Sequence, residues 1–228
     1  MSRKKITAII PIRKGSQRII NKNFKPFAGK NLLEIKLDTL ITIGSIDEIV
    51  VNTDSKRALE IAEKYGVKKH EREPYYASSK CNNSEFFEHM AKTTETDYLM
   101  YTPCTAPLVT KNTYYDIISR FINCLQNGYD SITTVKNVKD HLWLDGHPLN
   151  YDPSNSPNTQ DLPDILKLTY SVSIISRQLM IEKKNIIGNR PMFYSIDPHE
   201  GIDVDEQYEF DFAEFLYKNI KINLVSGI

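Results

Sequence analysis

The sequence predicts an α/β fold with a mostly parallel central sheet, and three observations predict it. Segments that read as strands, the apolar run 6–12, 46–52 and the short 67–70, alternate with two segments whose apolar residues recur at helical spacing. Strand, helix, strand, helix, strand in that order is the pattern of parallel pairing through right-handed crossovers. The first run, ITAIIPI, is long enough for a strand buried on both faces and too short to span a membrane. It breaks at once into a loop holding Gly15 and the basic residues Arg13, Lys14, Arg18 and Lys22. Ligands of open α/β sheets bind at the carboxyl ends of the strands, where amides near a glycine can cradle an anion between cations.

Each element has its own signal. Asn31 caps a helix over 32–43 with Leu33, Leu37, Leu40 and Ile41 on one face. Asp54 or Ser55 caps the next, 56–65, which Gly66 stops. Residues 72–83 are polar and irregular and read as a loop, 84–93 as a helix with Phe86, Phe87 and Met90, and 97–101 as a fourth strand. Thr110 caps a long helix to residue 126, ended by Asn127 and Gly128, and 131–135 is a fifth strand. The pattern then changes. Residues 141–149 read as a hairpin around Asp145-Gly146, and 150–163 hold three prolines and many Asn and Ser residues. An excursion of this length, about 137–167, usually covers a ligand or pairs with another subunit. Residues 168–176 are a sixth strand, 177–184 a short helix, 192–196 a further strand and 206–217 a final helix.

At 228 residues the chain suits one domain, 1–228, carrying that excursion. Lys plus Arg equals Asp plus Glu at 29 each, so no net charge steers the molecule to nucleic acid or an acidic membrane surface. Cys81, Cys104 and Cys124 are odd in number and lack metal-ligand spacing, which argues for reduced thiols. The basic start followed by apolar residues imitates a signal peptide, but Arg13 and Lys14 arrive too soon and no small-residue cleavage site follows; the expectation is a cytoplasmic protein.

Two constellations carry candidate chemistry. The basic loop suits phosphate, since phosphoryl transfer needs cations around the phosphate oxygens, although a solvated basic loop has the same composition. Neither GxxxxGK[ST] nor GxGxxG is present. Asp203-x-Asp205 puts two carboxylates on one side of an extended segment, as a hard cation such as Mg²⁺ requires, while a helix N-cap is the alternative use. Asp54, after a strand, fits capping better than ligand contact. No histidine sits in a nucleophile elbow, and Trp143 with its leucine neighbours reads as hairpin or interface core.

Ile10 to Ser16, with Lys22-Asn23 and Gly29-Lys30, resembles the amino-terminal signature of the acylneuraminate cytidylyltransferases, the CMP-sialic acid synthetase family. The resemblance continues through Val51 to Ser55, Arg72 with Ala77-Ser78, Thr105-Ala106-Pro107-Leu108 and Gly201 to Asp205. It implies a three-layer, nucleotide-diphospho-sugar-transferase-like (Rossmann-like) fold with a projecting dimerisation element, and transfer of CMP from CTP to an acidic sugar in a homodimer. Carried over, Ile12, Gly15 and Ser16 would lie against the nucleotide, and Arg13 and Lys22 would hold its triphosphate. Asn23 and Arg72 would read the cytosine, Asn83 or Ser84 would lie near the ribose, and Asp203 and Asp205 would hold Mg²⁺. The departures fall on the sugar side. Pro103-Cys104 stands where Gln-Pro is usual, and residues 158–163 lack the arginine expected for a sugar carboxylate. Pro103, Thr105, Gln160 and Lys167 are therefore the expected sugar-side residues. The rivals are another sugar nucleotidyltransferase, such as a 3-deoxy-manno-octulosonate cytidylyltransferase, and a non-catalytic nucleotide-binding module.

Overall fold

The computed structural model describes residues 3–16 and 18–226, with the side chains of 220–226 left aside. Its centre is β1 (Ile6–Ile12), the strand expected from the first apolar run, in which only Pro11 is not fully buried. Around it β2 (Glu48–Thr53), β3 (Lys68–Glu71), β4 (Tyr98–Tyr101), β5 (Ser131–Val138), β8 (Ile165–Ser176) and β9 (Pro191–Ser195) form one seven-stranded sheet in the order β3-β2-β1-β4-β8-β5-β9. The expected mostly parallel α/β sheet is present. β8 alone runs against its neighbours β4 and β5.

The reversal of β8 follows from the excursion. β5 and β8 are joined through the irregular 139–164 segment without a crossover helix, so they pair as a long hairpin. Both strands run beyond their expected ends for the same reason: residues 135–138 of β5 pair with 165–168 of β8 across a register shift at Thr133/Val135. The expected hairpin at the tip is the two-stranded pair β6 (Trp143–Leu144) and β7 (His147–Pro148). Asp145 and Gly146 both take positive φ, 50° and 80°, as a two-residue primed turn requires.

Side-chain alternation along β1 divides the core into two layers. Ile6, Ala8, Ile10 and Ile12 pack on one face with Leu33, Ile117, Phe121 and Phe210, from α1 (Leu32–Leu40), α5 (Lys111–Leu125) and α7 (Gln207–Ser226). Ile9, Val50, Leu99 and Ile175 pack on the other with Phe87, Met90 and Met180, from α4 (Asn83–Lys92) and α6 (Arg177–Lys183). Helices on both faces make the third layer.

Helix starts follow cap chemistry. Asn31, Ser55 and Thr110 each accept from the backbone N–H three residues on, and Ser55 rather than Asp54 opens α2 (Lys56–Lys64). Asn82 and Glu85 close a full capping box on α4. Two expectations are corrected: the segment after β3 contains a short helix, α3 (Pro74–Ala77), started by its proline, and α7 runs well past its expected end.

Candidate active site

The carboxyl ends of β1 and β4, with the segment that follows β3, border a cavity of about 550 Å³. Its first wall is the loop after β1, which supplies Ile12, Arg13, Ser16, Arg18, Lys22 and Asn23. That loop is anchored from behind, where Phe27 is fully buried and meets Phe210 of α7 edge to face at 5.4 Å. Asp54, after β2, accepts from the Lys14 amide at 2.7 Å, so it braces the basic loop. Gly15 does not line the cavity, and a Cβ there would meet nothing within 4 Å, so packing within the chain does not demand glycine.

The second wall is built on Arg72. Its side chain is 5% exposed, donates from Nε to Asn52 Oδ1 and from Nη2 to the Asn52 carbonyl, both at 2.6 Å, and stacks over Phe86 at 4.5 Å. Burial lowers its pKa to about 10, with Asp54 acting in the opposite direction, so the guanidinium stays charged at neutral pH. Tyr76, Cys81, Phe86 and Asn83 complete this side. Ser84, the next residue of α4, lies outside the lining.

The third wall is the segment after β4, with Pro103 and Thr105 facing the cavity beside Tyr101. It is held from beneath by Lys36. This lysine is 2% exposed, and its ammonium donates to the Ala106 carbonyl and to Tyr114 Oη, each at 2.7 Å, with Tyr114 in turn 2.6 Å from Thr102 Oγ1. Among the described residues no carboxylate bonds it, and burial lowers its pKa to about 7. Behind the same segment, Cys104 donates to Asn23 Oδ1 at 3.4 Å; burial pushes the thiol up to about 12, which keeps it protonated.

The acidic pair closes the remaining side. Asp205 lines the cavity, and its two oxygens meet Lys22 at 3.0 Å and Arg18 at 2.8 Å. The helix-cap alternative goes instead to Glu209, whose Oε2 accepts from the amides of Asp205 and Glu206. The Val204 amide donates to the Thr105 carbonyl at 2.8 Å, which ties this segment to the third wall. Asp203 is held behind it. Burial raises its pKa, a hydrogen bond with Thr105 opposes that shift, and its Oδ1 is buried without a partner. An orphaned carboxylate oxygen next to a second carboxylate fits a hard cation that draws its other ligands from phosphate and water. Among the described residues no group of three or more His, Cys, Asp or Glu stands together as a metal site.

The fold thus gathers Ile12, Arg13, Ser16, Lys22, Asn23, Arg72, Asn83, Pro103, Thr105 and Asp205 around one space. Gln160, exposed on the arm, and Lys167 on β8, opposite Lys136 of β5, stand apart from it. Tyr76, Phe86, Tyr101 and Cys81 were not anticipated. Phe86 reads in the sequence as helix core, and nothing in its spacing distinguishes a residue that stacks on an arginine.

Among the described residues no helix is long and apolar enough to cross a membrane. The chain is 30% identical over 224 residues to the pseudaminic acid cytidylyltransferase of Campylobacter jejuni subsp. jejuni, with 92% of this chain and 95% of that protein covered. It is 24% identical over 221 residues to the N-acylneuraminate cytidylyltransferase of Escherichia coli O18:K1:H7, with 92% of this chain covered. The chain spans about half the length of that relative and of its counterpart from Danio rerio, 52% and 50%. Among solved structures, the 4-diphosphocytidyl-2C-methyl-D-erythritol synthase of Anaerococcus prevotii superposes with a TM-score of 0.70 at 16% identity, covering 94% of this chain and 99% of that one. A CMP:2-keto-3-deoxy-manno-octonic acid synthetase superposes with a TM-score of 0.67 at 14% identity over 94% of this chain and 99% of that one, and both likenesses speak to the fold alone. A profile of the family described as cytidylyltransferase matches residues 7–161, more than half of the sequence, and on that match the chain belongs to the cytidylyltransferase family.

Proposed function

We propose that this protein is a CTP-dependent cytidylyltransferase that transfers CMP to an acidic, sialic-acid-like nonulosonate sugar and releases pyrophosphate. The observation that carries the reading is one cavity at the carboxyl ends of β1 and β4, with a basic loop, the buried Arg72 after β3, and Asp205 with Asp203 behind it on three sides. In this reading Arg13 and Lys22 hold the triphosphate. Arg72, fixed in place by Asn52, presents its remaining N–H donors to the cytosine beside Asn23, and Asn83, rather than Ser84, lies near the ribose. Pro103 and Thr105 border the space in which the sugar approaches. Its anomeric hydroxyl oxygen forms the bond to the α-phosphorus, the bond to the bridging oxygen breaks, pyrophosphate departs, and the hydroxyl proton passes to an acceptor.

Asp203 and Asp205 would hold Mg²⁺, which when bound neutralises charge developing on the phosphates. Lys22 and Arg18, already paired with Asp205, orient that carboxylate toward the cavity. The arm gives the reading its second subunit. Trp143, Leu144 and Leu149 are 57%, 59% and 54% exposed, an apolar group that pairing of two copies as a homodimer would cover. Gln160 and Lys167, remote from the cavity of their own chain, would then act on the sugar side of a partner's site. A CTP-consuming enzyme of this kind works in the cytoplasm.

The test is pyrophosphate release with Mg²⁺ and each of CTP, ATP, GTP and UTP, against pseudaminic, legionaminic and N-acetylneuraminic acids and 3-deoxy-manno-octulosonate. Release with CTP and a nonulosonate is the expected result. No release with CTP and any of the four sugars overturns it.

A further inference from the structure

The wall carrying Arg72 is itself held by residues outside the cavity. β2 and β3 pair in parallel with Asn52 opposite His70, which brings the two side chains together: Asn52 Nδ2 lies 2.9 Å from His70 Nδ1. The direction of that bond follows from the rest of the chain. Arg72 is a donor only, and its Nε–H is given to Asn52 Oδ1. The Asn52 oxygen is therefore committed to Arg72, the Asn52 amide N–H₂ faces His70, and His70 Nδ1 accepts. His70 must then be neutral with its proton on Nε2. Asn52 is 0% exposed, so the amide has no water to turn to when this acceptor is lost.

We infer that His70 is a positioning residue for the nucleotide, acting through Asn52 to aim Arg72, so that protonation of His70 loosens the base-side wall. A proton on Nδ1 would set N–H against N–H, and Asn52 could relieve it only by turning its oxygen away from Arg72. The groups that face His70 agree with a neutral ring. Arg72, just beyond β3, and His89, on α4 with its ring centre 5.8 Å away, are cationic or potentially so; Glu73 alone opposes them, and Asn52 on β2 is uncharged. Burial and Arg72 hold the pKa of His70 below its ordinary 6.5. His89, lowered likewise by burial, stacks at 3.6 Å on Tyr76, which lines the same cavity. Affinity is therefore present at neutral pH and lost as pH falls through the folded-state pKa of His70.

This inference rests on the nucleotide reading of the cavity, and its test separates the two. CTP affinity is measured by calorimetry at about pH 8 and about pH 5.5 for the wild type, His70→Asn and His70→Leu. The asparagine carbonyl can accept from Asn52 without titrating, and leucine cannot accept. Wild type should lose affinity severalfold at the lower pH beyond whatever His70→Asn loses, since the nucleotide's own titration is common to both. His70→Leu should bind about tenfold more weakly than His70→Asn at the higher pH. Imidazole ¹⁵N shifts of the wild type should report the Nε2–H form at about pH 8 without any ligand. Superimposable pH profiles of wild type and His70→Asn, or an Nδ1–H tautomer, overturn the inference. Absence of CTP binding by the wild type at either pH overturns the nucleotide reading instead, with the tautomer still deciding the hydrogen-bond relay.

Discussion

Lys36 is a buried ammonium without a carboxylate, and its replacement by methionine makes a quantitative test of the third wall. The unfolded chain titrates this lysine at its ordinary 10.5, whereas burial lowers the folded-state value to about 7. At about 1.36 kcal/mol for each pKa unit, full protonation in the folded state opposes folding by about 5 kcal/mol. Between those two values the unfolded chain binds more protons than the folded one, so the contribution of Lys36 makes stability rise with pH. From about pH 7 to about pH 9 that rise is about 2 kcal/mol. Lys36→Met removes the titration together with two hydrogen bonds to Ala106 and Tyr114. Bonds of this charged type contribute about 1.5–3 kcal/mol each, which roughly offsets the relief of the buried charge at neutral pH. The variant should thus be close to wild type in stability near neutrality and fall behind it by about 2 kcal/mol at about pH 9. Urea unfolding followed by circular dichroism at several pH values measures the gap, and other titrating groups cancel in the difference. A gap that stays constant over the range would refute the reasoning, because it would mean that Lys36 keeps its proton throughout.

Three further outcomes are expected. Asp203→Asn combined with Asp205→Asn should lower pyrophosphate release about a hundredfold or more while the circular dichroism spectrum is kept; undiminished turnover would return the pair to a structural role. Arg72→Lys should weaken CTP binding about tenfold by calorimetry, since a single ammonium cannot reproduce the two bonds to Asn52 and the stack on Phe86, and equal affinity would remove Arg72 from base recognition. Trp143→Asp with Leu144→Asp, both on the exposed arm, should shift the sedimentation coefficient to that of a monomer with secondary structure unchanged; an unaltered mass would move the interface elsewhere.

The particular elements show which information is local. β1 has the bounds that its apolar run implies, and Asn31, Ser55 and Thr110 start helices as expected, because a strand's burial and a cap's hydrogen bond are written in adjacent residues. The short helix at Pro74–Ala77 escaped because its flanks are polar and it buries no apolar stripe of its own. The site divides the same way. Arg13, Lys22, Asn23 and Asp205 stand out through their residue types in ordered motifs, and the fold brings them to one cavity. Lys36 and His70 gave no such signal, since each draws its meaning from a partner on another element.

By itself, then, the amino-acid sequence determined the α/β class, the order of its elements, the basic loop after the first strand and the acidic pair before the last helix, all features set by neighbours along the chain. Only the tertiary structure decided that β8 runs antiparallel, that Tyr76, Phe86 and Tyr101 wall the cavity, that Lys36 holds the segment after β4 from beneath, and that His70 reaches Arg72 through Asn52. Those facts depend on strand register and on exclusion of water, which arise when distant segments pack and which no window of adjacent residues contains.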